Sequence, residues 1–446
     1  MFIYSDSQLK AVAQEVLDHA KQAGATSAVV DVSESSGLSI NVRKRKVETI
    51  EQNRDKGLGV TVYIGQRKGN ASTTDFSSKA LSQTVQAAYE IARYTGEDDC
   101  AGLPDAAMLE NKPRDLDLFK EWNISAAEAI ELAKQTESAA FAVSPLIKNS
   151  DGASVSVHHG HFISANSLGF SGGYRYSRHS LAVAPIAKLG RNMQRDDWYS
   201  SARSGADLAS PDAIGRYAAE RALSRLGAKQ VATGNFPVLF ESPLACGLIG
   251  SFVQAVSGGS LYRKASFLVD SLGKPVFPKH IDLLEDPHIK GAFGSSPFDD
   301  EGVKTAKRKV IDSGIVKGYF LSSYSARKLG MQTTGNAGGS HNLMLKSRKT
   351  RSGDDLLAMI RKMGKGLFVT DLMGQGVNYV TGDYSRGASG FWVENGEIQY
   401  PVEEITIAGN LKDMFMQIAA VGSDQITRGS KSTGSILIES MAIAGN

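Results

Sequence analysis

Val157-His158-His159-Gly160-His161 is the densest group of metal-ligand side chains in the chain. Side chains alternate between the two faces of a strand, so His159 and His161 would share one face as an H-x-H pair open to a transition metal. No third ligand accompanies them, and the pair reads instead as polar residues on a solvated strand face. Metal-assisted peptide hydrolysis asks for two imidazoles one helical turn apart, with a glutamate beside the first to activate water. No two of the eight histidines are spaced by four or five residues, and no His-Glu dipeptide occurs.

Other chemistry-bearing patterns also resolve into turns. Gly169-Phe170-Ser171-Gly172-Gly173 matches the G-x-S-x-G nucleophile elbow, but an elbow joins a strand to a helix and here strand follows strand, so a hairpin turn is expected. Gly57-Leu58-Gly59 and Gly374-Gln375-Gly376 lack the further glycines, lysine or hydroxyl of a phosphate loop. Asp299, Asp300 and Glu301 could gather carboxylates round a cation, yet they precede Gly302 and a strand and read as an acidic turn. Cys100 and Cys246 form no C-x-x-C pair, which leaves neither a disulfide framework nor a cysteine-rich zinc site.

The elements that must position these residues follow from periodicity. Leu9, Val12, Ala13, Val16, Leu17 and Ala20 recur at helical spacing behind Ser5 or Asp6 as N-cap. Alternating segments at 27–32, 37–42, 47–52, 57–64 and 68–72 predict an antiparallel meander, followed by helices over 77–94 and 125–141, the latter opened by a Ser125/Glu128 capping box. Strands at about 154–167, 172–178 and 181–185 lead into a helix at 211–226. A short polar segment bounded by Gly227 and Gly234 then marks a domain boundary, giving an N-terminal α+β domain over 1–228 and a β-rich C-terminal domain over 229–446. In the second half, Ser242 and Pro243 open an apolar helix over 243–256 on which Cys246 is a packing residue. Asn395-Gly396 supplies the two positive-φ positions of a type I′ hairpin between 391 and 400. The order of elements is not a βαβ repeat, so the class is α+β with helices packed on antiparallel sheets.

Composition narrows the function classes. Fifty basic and forty-seven acidic side chains leave a net charge of +3, too small and too mixed for a nucleic-acid footprint. No apolar run approaches the ~18 residues of a membrane span, and the start Met1-Phe2-Ile3-Tyr4-Ser5-Asp6 lacks a basic region followed by an apolar one, so a cytoplasmic chain is expected.

Four segments, at 258–268 (Gly-Gly-Ser-Leu-Tyr-Arg-Lys-Ala-Ser-Phe-Leu), 297–303, 322–329 and 382–396, resemble the PmbA branch of the TldD/PmbA family, also called modulators of DNA gyrase. The match continues through 400–413. The resemblance implies a two-domain subunit that pairs into a hollow dimer, and a cytosolic metalloprotease built from PmbA-like and TldD-like chains that cuts unfolded or extended peptides, including antibiotic leaders and antitoxins. It places the zinc in the TldD-like partner, on an H-E-x-x-x-H helix just before the arginine-containing segment, with a cysteine later in that chain. The matching stretch here is Gly250-Ser251-Phe252-Val253-Gln254-Ala255, and no cysteine follows Cys246. This chain is therefore expected to hold no cofactor of its own and to act as the non-catalytic subunit of a heterodimer. The alternative is a non-catalytic homodimer that binds peptides or modulates gyrase. Glycine-rich loops at 334–341 and 382–390 are expected to line the dimer cavity, with Gly335, Asn336, His341, Asp383 and Arg386 as candidate residues, and extended peptides are expected to add to an exposed sheet edge.

Overall fold

The computed structural model describes residues 2–445. The chain divides into two compact units, one holding everything up to Leu226 together with Pro297–Lys304, the other running from Gly227 to Ser296 and from Thr305 onward. The excursion at 297–304 interrupts the expected 229–446 domain. Its cause is aromatic packing: Phe298 meets Phe170 at 5.1 Å and Tyr174 at 5.8 Å between ring centroids, and Val303 bridges to Leu109. Such a contact leaves no periodicity in the sequence.

The first unit contains α1 (Asp6–Gln22), β1 (Ser27–Arg43), β2 (Lys46–Ile64), β3 (Arg67–Thr73), α2 (Ser78–Tyr94), α3 (Ala126–Val143), β4 (Ile147–Asn166), β5 (Ser171–Leu189), β6 (Asn192–Arg195), β7 (Trp198–Ala202) and α4 (Pro211–Ser224). Its seven-stranded antiparallel sheet has the order β3-β2-β1-β4-β5-β6, with β7 also on β5. Where short strands were expected at 27–32 and 37–42, and at 47–52 and 57–64, β1 and β2 each run unbroken, because a glycine costs a strand propensity without ending its hydrogen-bonded ladder. Capping boxes start α1 at Ser5/Gln8 and α3 at Ser125/Glu128. One face of the sheet carries two separate apolar cores. Val30, Val32, Val60, Val62 and Ile163 pack with Leu9 of α1 and Leu81 of α2. Ile40, Val42, Val155, Leu181 and Val183 pack with Ala133 of α3 and Ile214 of α4.

The second unit contains β8 (Gly234–Phe240), α5 (Ser242–Ala255), α6 (Gly258–Tyr262), β9 (Ile281–Asp286), β10 (Arg308–Asp312), β11 (Ile315–Val316), α7 (Ser323–Lys328), β12 (Asn342–Ser347), α8 (Leu356–Met363), β13 (Gly366–Met373), β14 (Asp383–Glu394), β15 (Glu397–Asn410), α9 (Leu411–Met416), β16 (Ile418–Val421), β17 (Ile426–Arg428), β18 (Lys431–Thr433) and β19 (Ile436–Ala444). One sheet runs β11-β10-β9-β12-β18-β17 and another β15-β14-β13-β8-β19-β16. β15 also pairs with β19, so the strands from β15 through β13 and β8 to β19 close on themselves. The edges left in the first of these sheets, β11 and β17, are two and three residues long. Two pairings, β13 with β8 and β12 with β18, are parallel, a departure from the all-antiparallel expectation within an α+β architecture. The Asn395-Gly396 turn has φ of 54° and 74° and joins β14 to β15.

Candidate functional site

In the second unit, β8 delivers the chain into α5, with Pro243 in its first turn. The N-cap residue is Glu241, not Ser242; Ser242 Oγ is instead engaged with the Asp424 carbonyl and carboxylate at 2.8 and 2.9 Å. Leu248, Ile249, Phe252 and Ala255 enter the main core of the unit. Cys246 is buried too, which pushes its thiol up and leaves it a packing residue. On the remaining face Gly247, Gly250 and Ser251 have almost no side chain, and there α5 floors a cavity of about 240 Å³ walled by Gln375, Val377, Tyr379, Tyr384 and Arg386. A Cβ on Gly247 would meet nothing, and one on Gly250 would meet only the Lys431 side chain, at 3.6 Å.

The cavity presents donors. Arg386 Nη2 makes a long 3.4 Å bond to the Leu372 carbonyl, and its buried Nε has no hydrogen-bond acceptor. Burial pushes the Tyr384 hydroxyl up to about 12, so it remains protonated. The zinc implied by the family resemblance does not fit here. Gly250, Ser251 and Ala255 stand at the expected ligand positions, and the Ser251 hydroxyl is 3.3 Å from the Gly247 carbonyl of its own helix. Among the described residues, no group of three His, Cys, Asp or Glu side chains could hold a metal.

The five residues expected to line a cavity separate into different places. Asn336 Nδ2 and the His341 backbone N–H both donate to Glu285 Oε1, at 2.9 and 2.8 Å. Arg308 Nε donates to Glu285 Oε2 at 2.7 Å, and His341 Nε2 lies 2.9 Å from the Gly335 carbonyl. Glu285, on β9, is 1% exposed, so the loop at 334–341 is wrapped round a buried carboxylate with Asn336 and His341 turned inward. Asp383 is exposed and tied to Thr381 and Asn410. Arg386, three residues along β14, joins the α5 cavity. Sequence reasoning missed Gly247, Gly250, Tyr379 and Tyr384. A signal was present: Gly247, Gly250 and Ser251 are small residues at i, i+3 and i+4 on a helix that is otherwise apolar.

The acidic turn is built as a turn. Asp299 Oδ1 accepts from the backbone N–H groups of Glu301 and Val303, both at 2.9 Å, and Gly302 takes φ +79°. Gly169 to Gly173 likewise joins β4 to β5 as a hairpin.

The histidine cluster requires a correction. His159 and His161 are not on a solvated face; both are buried, between the two apolar cores of the first unit. His161 Nδ1 lies 3.3 Å from Glu34 Oε1, while Asp6 Oδ1 stands 3.2 Å from Nε2, within ion-pair reach but off the line of a hydrogen bond. Glu34 also accepts from the Ile3 and Tyr4 backbone N–H groups at 2.8 and 3.1 Å. His159 Nε2 accepts from the Trp122 N–H at 3.3 Å, which requires that nitrogen to be unprotonated; burial and the neighbouring His179 push it down to about 4. The burying segments, Phe2–Tyr4 and the stretch from Phe119 to Trp122, contact the rings of His161, His159 and His179, and neither shows helical or strand periodicity.

Comparison with known proteins accounts for the domain order. Models of the PmbA/TldA metallopeptidase family match in sequence: domain 1 over 28–92, the central domain over 119–226 and the C-terminal domain over 233–445. Metalloprotease PmbA of Escherichia coli O157:H7 is 49% identical across 94% of this chain and 92% of its own length. The chain belongs to the PmbA/TldD metallopeptidase family. Another family member, the Metalloprotease PmbA homolog of Haemophilus influenzae, is 46% identical over 99% of this chain and 97% of its own. Among solved structures, a candidate modulator of DNA gyrase from Bacteroides thetaiotaomicron superposes with a TM-score of 0.93 at 28% identity, covering 99% of this chain and all of that one. TldE of Thermococcus kodakarensis shares the fold, with a TM-score of 0.85 at 20% identity over 97% of this chain and 100% of its own. No helix among the described residues is long and apolar enough to cross a membrane.

Proposed function

We propose that this family member is the zinc-free, PmbA-like subunit of a cytoplasmic two-subunit metalloprotease, whose TldD-like partner carries the zinc and which cuts unfolded or extended peptides such as antibiotic leaders and antitoxins. One observation carries the reading: α5 stands where the family resemblance puts the ligand helix, and it offers Gly250, Ser251 and Ala255 in place of imidazoles and a carboxylate. In this reading the α5 cavity and the segment at 382–390, with Asp383 and Arg386, face the space shared with the partner, as does the loop at 334–341 with Gly335, Asn336 and His341.

The test is co-expression with a TldD-like chain, followed by metal analysis of each chain and a peptide-cleavage assay. Co-purification is expected, with zinc in the partner and chelator-sensitive cleavage by the pair only. Roughly one zinc per molecule of this chain alone, or cleavage by this chain alone that a chelator abolishes, sinks the proposal. The likeness to a candidate gyrase modulator favours a second reading, a homodimer that holds peptides or modulates gyrase without cutting. Failure to pair with any TldD-like chain, together with retained peptide binding, would select it.

A further inference from the structure

We propose that the α5 cavity is a carboxylate-binding subsite, in which Arg386 takes the free C-terminal carboxylate or an acidic side chain of a bound peptide. The inference rests on the subunit reading only for the substrate being a peptide, not for the location of the zinc.

A guanidinium is a rigid fork of donors matched to the two oxygens of a carboxylate. Arg386 is half-buried; it is engaged with the Tyr384 hydroxyl and makes a long bond to the Leu372 carbonyl, but its Nε is enclosed without an acceptor, so part of its donor fork is unspent. A buried donor in that state is costly until a ligand oxygen meets it. The rest of the cavity suits the same charge. Tyr384 remains a neutral donor. No carboxylate lines the cavity. Its volume, about 240 Å³, suits one residue and not a bulky cofactor.

The walls are built, not incidental. Ser385 N–H donates to the Gly376 carbonyl at 2.7 Å, which clamps the segment after β13 against β14, and a Cβ on Gly376 would collide with the Ser385 carbonyl. This assigns a use to Gly374-Gln375-Gly376 that phosphate-loop chemistry did not: the second glycine permits the close backbone approach that holds Gln375 and Val377 over the cavity. The glycines of α5 leave the opposite side open to a peptide main chain.

The experiment uses the full chain and fluorescence anisotropy with one labelled unstructured peptide in four forms: free acid, C-terminal amide, internal Asp/Glu replaced by Asn/Gln, and both changes together. The wild type is expected to bind an acid form roughly 10- to 100-fold more tightly than the doubly neutral peptide, the range for a charge-assisted, two-point contact. Loss on amidation alone identifies the terminal carboxylate, and loss on side-chain neutralisation alone identifies an acidic residue. Arg386→Gln should abolish the preference, whereas Arg386→Lys, which keeps the charge without the fork, should keep part of it. Gly247→Leu fills the cavity from the helix side while leaving Arg386 in place, and should abolish the preference as well; thermal denaturation checks that each variant is folded. Equal binding of all four peptides by the wild type, no binding of any, or a preference that survives in folded Arg386→Gln and Gly247→Leu, overturns the subsite. Because zinc and pairing are not read, failure here is distinct from failure of the subunit proposal.

Discussion

His159 shows how a side chain that invites a functional reading is spent on the fold. Its imidazole is held near a pKa of about 4 by burial first and by His179 second, against a value near 6.5 when the chain is unfolded. Below about pH 6.5 the unfolded chain takes up a proton that the folded chain refuses, so stability present above that pH is lost as pH falls toward 4. The thermal midpoint should therefore drop across that window, and His159→Gln should flatten the drop; a wild-type midpoint independent of pH from 7 to ~4.5 would contradict this. His179 is shifted the same way by burial and reinforces the sign. Glu285 is the counterpart in the second unit. It is a buried carboxylate answered by Arg308, Asn336 and the His341 backbone, and Glu285→Ala would strand the Arg308 guanidinium. A loss of about 3–5 kcal/mol in urea unfolding is expected, the range for breaking one side of a buried pair. None of this could be read from spacing. Glu34 and His161 lie 127 residues apart in sequence, and Glu285 and Asn336 lie 51 apart, so their meeting is a property of strand register and loop path, not of any motif.

Elements were more legible than their partners. The N-cap at Ser5, one of the two residues offered for it, the capping box at Ser125, the Asn395-Gly396 hairpin and the apolar helix after Pro243 all declare themselves through local chemistry, and each stands within a residue or two of where periodicity puts it. The parallel pairings of β8 with β13 and β12 with β18 were invisible because two strands distant in sequence carry no mark of relative direction. Two predictions belong at this scale. Phe252 of α5 is fully buried against Phe277 and Phe415, at 5.3 and 6.2 Å between centroids, and Phe252→Ala should cost about 3–5 kcal/mol in chemical denaturation. In the hairpin, Gly396→Ala must hold a side chain at φ +74° with its Cβ 2.9 Å from the Arg361 Cα, and should lower stability by more than ~1 kcal/mol, measured the same way. The short edges β11 and β17 and the closure of β15 on β19 also bear on peptide recognition. Within the second unit they shorten the edges open to the strand addition expected from the sequence, which adds weight to a side-chain cavity such as that on α5.

For the whole molecule, the decisive measurement is the reconstituted pair. Charge reversal at two positions, Asp383→Lys with Arg386→Glu, should impair cleavage of a long unfolded peptide while zinc stays in the partner and the chains stay paired; unchanged cleavage would remove that segment from the shared space. The excursion of Pro297–Lys304 has a different bearing. A ribbon from the second half of the gene supplies Phe298 to a cluster with Phe170 and Leu109 of the first half, and its Val303 bridges to Leu109. The chain therefore crosses between its two bodies more than once, and a cut at 226 does not yield two self-sufficient modules. Recombination that joined the first half to a foreign second half would have to bring a matching ribbon or leave the cluster unfilled. The two halves are thus bound to descend together, inherited as one piece, however distinct they look as folds.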